Sequence, residues 1–132
     1  MTKLTGSVFS FRSRTIAYWV TTALVAAELA VGGVWDIMRI PYVRTVIEHL
    51  GYPSYFLVIL GLWKVLGAAA LLVPRFPRLK EWAYAGTFFN YTGALASHLA
   101  VGDGADVGLI VLAGVVVSSW ALRPSARRLG PS

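Results

Sequence analysis

The sequence predicts an all-α, four-transmembrane-helix up-down bundle, with a short amphipathic outer helix between the first and second spans. Three observations predict it. The 132 residues are 57% hydrophobic and only 14% charged, where a soluble domain carries about 25% charge. The apolar residues gather in four runs, each near the roughly 20 residues that cross the hydrocarbon as a helix. Those runs lack the polar stripe of a soluble helix; Val107 to Val117 holds no charge at all. Lipid offers no partner for a backbone amide, so helices are the expected form. The length suits one membrane domain over residues 1–132.

The first run is Thr15 to Trp35. It continues past the Ala-rich stretch at Ala23 to Ala27 and is too long for a cleaved signal core, so it is expected to remain as a span. Pro41 to Leu50 then places Tyr42, Val43, Val46, Ile47 and Leu50 at helical spacing, with Arg44, Glu48 and His49 elsewhere. Such a stretch lies flat on the outer surface or caps the bundle. Gly51-Tyr52-Pro53 ends it and starts the second run, Ser54 to Val73. Pro74-Arg75-Phe76-Pro77-Arg78 is a stiff turn into the third run, Trp82 to Ala100. Gly102-Asp103-Gly104 turns tightly into the fourth, Ala105 to Leu122. Short connections make consecutive helices antiparallel neighbours. The last ten residues, Arg123 to Ser132, are expected as a basic tail near anionic lipid.

Orientation follows from the cations. Lys3, Arg12, Arg14, Arg75, Arg78, Lys80, Arg123, Arg127 and Arg128 fall on one side, and only Arg39 and Arg44 on the other. The positive-inside rule then puts both termini and the Arg75–Lys80 loop in the cytoplasm, with the chain integral to the plasma membrane. Asp36, Glu48, Asp103 and Asp106 are expected outside. Aromatic residues such as Tyr18, Trp35, Tyr55, Trp82 and Trp120 sit where interfacial belts belong.

Several chemistries are excluded. There are no cysteines, so disulfides, thiol catalysis and cysteine-ligated clusters are out. The sequence has no phosphate loop, Ser-His-Asp set, HExxH or nucleotide fingerprint. No nucleic-acid partner and no metal are expected. His49 and His98 are the only histidines, and two axial imidazoles for haem would require the outer stretch to fold over the bundle mouth.

Four polar residues interrupt the spans: Glu28, Lys64, Asn90 and His98. A charge in hydrocarbon costs about 2.5–3.5 kcal/mol, so Glu28 and Lys64 are expected to face inward and pair. Asn90 lies near the same depth as Lys64, and His98 nearer the outer mouth. Two readings stay open. The pair fixes helix register, or the four residues are ligand contacts in a pocket. On the third helix Gly86, Asn90, Gly93 and Ser97 form a small and polar stripe suited to close helix approach. On the fourth, Gly104/Gly108 and Gly114/Ser118 offer small-xxx-small packing for a homo-oligomer.

Several runs resemble the DoxX-like family. They are Ala17-Tyr18-Trp19-Val20-Thr21-Thr22-Ala23-Leu24, His49-Leu50-Gly51-Tyr52-Pro53, and Trp63-Lys64-Val65-Leu66-Gly67-Ala68 continuing to Pro74. The most specific is Lys80-Glu81-Trp82-Ala83-Tyr84-Ala85-Gly86, with Gly93-Ala94 and Ser97-His98 after it. The resemblance implies a four-helix membrane bundle and a link to quinone-coupled or other membrane redox systems. It specifies no reaction, so whether the chain is an enzyme stays open. The leading expectation is a quinone or other lipophilic molecule bound in the outer half by Glu28, Lys64, Asn90 and His98. The alternatives are a small dimeric transporter and a non-catalytic scaffold. The scaffold would dock a membrane or redox partner through Arg75, Phe76, Arg78, Lys80 and Trp82.

Overall fold

In the computed structural model, five helices build the chain: α1 (Thr2–Met38), α2 (Pro41–His49), α3 (Phe56–Leu72), α4 (Pro77–Ala100) and α5 (Val107–Ala121). The structure describes residues 2–124 and Arg127, with side chains from Arg12 onward; no strand occurs among them. Within α1, Arg12–Met38 is long and apolar enough to cross a bilayer. The apolar α3 and α5 are shorter, at 17 and 15 residues.

The long helices close a ring. α1 packs on α3 and α5, and α4 packs on α5 and α3. The core between them holds Val25, Leu29, Leu71, Tyr91 and Val116. α2 leans on α1 and buries Ile47, as its amphipathic pattern predicts. The contact of α1 with α3 is the tightest. A methyl placed on Gly61 would sit 2.5 Å from the Gly33 carbonyl oxygen, and one on Gly33 would sit 2.9 Å from that of Gly61. Only glycine at both positions allows the two backbones to meet.

Polar pegs lock the opposite side of the ring. The Ser119 hydroxyl is 2.6 Å from that of Thr22 and 2.7 Å from that of Tyr84, which ties α5 to α1 and α4. Both contacts are buried, where a lost partner is expensive.

The α3–α4 turn departs from expectation. Arg75 and Phe76 adopt left-handed φ values of 68° and 55°, and α4 starts at Pro77, in the first-turn position that proline favours. Lys80 is therefore on the helix, not in the loop. It is 0% exposed. Its ammonium donates to the Ala70 carbonyl at 3.0 Å and to that of Val73. The Arg127 guanidinium, 8% exposed, donates to the Leu71 carbonyl at 2.6 Å and to the Tyr18 hydroxyl at 2.7 Å. Two cations thus satisfy the orphan carbonyls at the negative end of α3. This corrects two expectations: Lys80 offers no docking surface, and Arg127 is packed into the bundle. The rest of the basic tail, residues 125–126 and 128–132, lies outside the described residues.

The end of α1 supplies another correction. The helix runs on past Trp35 to Met38, and Asp36, expected in the outer connection, is 4% exposed inside the bundle. Leaving α1 there would place this carboxylate in solvent and strand the cation it faces on α3.

Candidate functional site

A cavity of about 600 Å³ runs between α3 and α4, capped by the end of α2. α3 packs more extensively on α1 than on α4, and the cavity lies along the looser of these two contacts. The α4 wall is built of small residues: Ala83, Gly86, Gly93 and Ala94. A methyl placed on Gly86 or Gly93 meets nothing within 4 Å. These glycines keep a groove open; they do not bring helices together, as the stripe on α4 predicted.

The α3 wall is bulkier, with Phe56, Leu60, Trp63 and Leu66. Trp63 and Trp82 flank the opening and are 69% and 73% exposed. From Trp82 to Ser97 the α4 wall extends for about 22 Å at a helix's rise. Lys64, Thr87 and Asn90 supply the polar groups along its middle, and Tyr52 and Ser97 those at the α2 end. The Tyr52 hydroxyl is 2.9 Å from that of Ser97. Among the lining residues Lys64 is the one with a charged side chain.

Lys64 does not take Glu28 as its nearest partner. Its Nζ lies 3.1 Å from Oδ2 of Asp36, and both side chains are mostly buried. Oδ2 receives no aligned hydrogen bond, so the contact is an ion pair in the electrostatic sense. Glu28 instead accepts a short hydrogen bond from the Tyr91 hydroxyl through Oε2. Its other oxygen stays close: a methyl on Gly32 would be 3.2 Å from Oε1 of Glu28 and 3.6 Å from Nζ of Lys64. Glu28, Gly32 and Asp36 follow at one-turn spacing on α1, and the bare glycine between the two carboxylates makes room for the ammonium.

The four candidate contacts therefore separate. Lys64 and Asn90 line the groove. Glu28 stands behind it, on Tyr91. His98 is at the α2 end, where its Nδ1 is 2.7 Å from Oδ2 of Asp103. His49 reaches the same carboxylate, with Nε2 at 2.8 Å from Oδ1. α2 does fold over this end of the bundle, and the two imidazoles meet on Asp103. Hydrogen bonds from His98 and His49 hold the Asp103 carboxyl below its ordinary range.

Sequence reasoning missed Asp36, Tyr91 and Asp103. Asp36 directly follows Trp35, where the predicted first span ends, and so reads as part of the connection. Tyr91 sits beside Asn90 and was legible only as another aromatic. Among the proposed docking residues, Arg75, Phe76, Arg78 and Trp82 are exposed, and Trp82 also lines the groove.

Residues 20–121 match the family model of the DoxX-like family. No curated protein and no solved structure matches the chain.

Proposed function

The chain belongs to the DoxX-like family and is a small membrane protein, and from that premise we propose that it binds a lipophilic small molecule, a quinone foremost, in the α3–α4 groove. The single observation that carries this reading is the groove of about 600 Å³, whose mostly apolar walls carry Lys64, Thr87 and Asn90 along the middle. Apolar enclosure with a few convergent polar groups is the usual form of a small-molecule site. The Lys64 ammonium and the Asn90 amide are the donors for a head group, and Trp63 and Trp82 offer flat faces beside it. Glu28 acts through Tyr91 and Lys64 rather than by contact, and His98 acts at the mouth.

In this reading α1, α3, α4 and α5 all cross the plasma membrane, with both termini in the cytoplasm. The outward faces support it: Val20, Leu24 and Val31 on α1, Ile59 and Leu62 on α3, Phe89 on α4, and Ile110 and Val111 on α5 are all exposed. Water would penalise such faces; lipid does not. The helical turn at Pro53 to Tyr55 lengthens α3 toward a full span.

The test is a titration of purified protein in non-ionic detergent with decylubiquinone, read by tryptophan quenching. Saturable quenching that weakens about ten-fold in Lys64→Met and disappears in Gly86→Phe supports the site. Quenching unchanged in Gly86→Phe overturns it.

A second reading, docking of a membrane or redox partner, is favoured by the joint exposure of Arg75, Phe76, Arg78 and Trp82 around the α3–α4 turn. Loss of a co-purifying protein on charge reversal at Arg75 and Arg78 supports it; unaltered co-purification counts against it.

A further inference from the structure

We infer that the groove selects lipophiles whose head is an uncharged hydrogen-bond acceptor, such as a carbonyl, and rejects anionic heads of the same length. The inference rests on the groove reading above and adds the chemical class of its occupant.

A lone lysine on an apolar wall ordinarily reads as an anion site. The surroundings of Lys64 reverse that reading. Asp36 lies 3.1 Å from its ammonium, so this cation already has a carboxylate counter-ion. The Glu28 carboxyl group stands close by, since a methyl on Gly32 would lie 3.2 Å from its Oε1 and 3.6 Å from Nζ of Lys64. Two carboxyl groups thus stand against one ammonium, and no other lining residue carries a charged side chain to offset them. A second anion brought to Lys64 would meet the Asp36 carboxylate at close range in a low dielectric, where like charges repel strongly. It would also lose its hydration, a penalty an uncharged head largely escapes.

Hydrogen bonding remains available. An ammonium has three donors, and a single ion pair leaves capacity for a groove ligand. The Asn90 amide stands on the facing wall and offers further donors. Asp36 is a positioning residue in this account. It fixes the ammonium at the groove wall and cancels its charge, without touching the ligand.

The experiment is native mass spectrometry of the full chain in dodecyl maltoside, with equimolar methyl palmitate and hexadecyl sulfonate. The two probes match in tail length; the first has an uncharged carbonyl and the second a permanent negative charge. The expected result is retention of the ester over the sulfonate by at least about ten-fold. Asp36→Asn, which removes the cancelling charge, should bring the ratio toward one. Equal or preferential retention of the sulfonate by the wild-type chain overturns the inference while leaving the groove reading in place. An unchanged ratio in folded Asp36→Asn overturns it as well. If that variant does not fold, the wild-type ratio alone decides. Retention of neither probe, or retention that persists in Gly86→Phe, overturns the groove reading and the inference together.

Discussion

Nζ of Lys64 lies 3.1 Å from Oδ2 of Asp36, joining α1 to α3 beside the Gly33–Gly61 crossing. The two contacts work together. Glycines let the helices approach, and the approach brings a cation within reach of a carboxylate that neither helix could bury alone. The groove lies on the side of α3 that faces α4, where the helix contact is looser.

Removing one partner of this pair leaves the other buried without compensation. Lys64→Met or Asp36→Asn should each destabilise the chain by about 3 kcal/mol. The double change to Met and Leu should recover most of that loss, because an apolar pair of similar volume has no desolvation penalty. Glu28→Gln should be milder, since glutamine keeps an acceptor for the Tyr91 hydroxyl. Denaturation midpoints in detergent for the four variants check the order.

The glycines divide into two classes that stability measurements can separate. Gly61→Ala forces a methyl to 2.5 Å from a backbone oxygen and should cost about 2 kcal/mol or more. Gly93→Ala meets open space and should be neutral, or stabilising by about 0.5–1 kcal/mol through helix propensity. Thermal unfolding of both variants against the parent chain distinguishes them.

Lys80→Met should lower stability by about 2–3 kcal/mol, because it strips the Ala70 and Val73 carbonyls of a buried charged donor. Arg78→Met, at an exposed position, should change it by less than about 0.5 kcal/mol. A docking role for Lys80 predicts the opposite order in a partner-retention assay with stability unchanged.

The His49–Asp103–His98 cluster makes the α2 end of the bundle sensitive to acid. The Asp103 carboxyl is held below its ordinary range by hydrogen bonds from His98 and then His49. A depressed native value means the contribution is complete above the ordinary carboxylate range near pH 4 and is lost as pH falls through the depressed value. Asp103→Asn should therefore flatten the fall in stability below about pH 4. Unfolding midpoints of both chains from pH 3 to pH 6 test this; parallel curves would remove Asp103 from the account.

The helices were legible in the sequence because hydropathy and helical periodicity are local properties. The amphipathic α2 was legible for the same reason: five apolar residues between Pro41 and Leu50 declare one face. The partners of the buried charges were not legible, because pairing is decided by register between distant helices. Asp36 follows an interfacial tryptophan and reads as the exit from the membrane; only the position of Lys64 on α3 shows that it turns inward. Lys80 reads as loop because two prolines precede it, although Pro77 is itself a helix-start signal. The stripe of Gly86 and Gly93 resembles the pair Gly33 and Gly61 in composition. One lines a void and the other a contact, and residue type alone does not tell them apart.

The most direct test of the central claim is mass spectrometry of the small molecules retained by the chain after purification in mild detergent, with Gly86→Phe prepared in parallel. The account predicts a near-stoichiometric neutral lipophile, quinone or similar carbonyl compound, in the parent chain and its loss from the folded variant. Bulk phospholipid alone in both samples, or the same lipophile at equal occupancy in both, would contradict it.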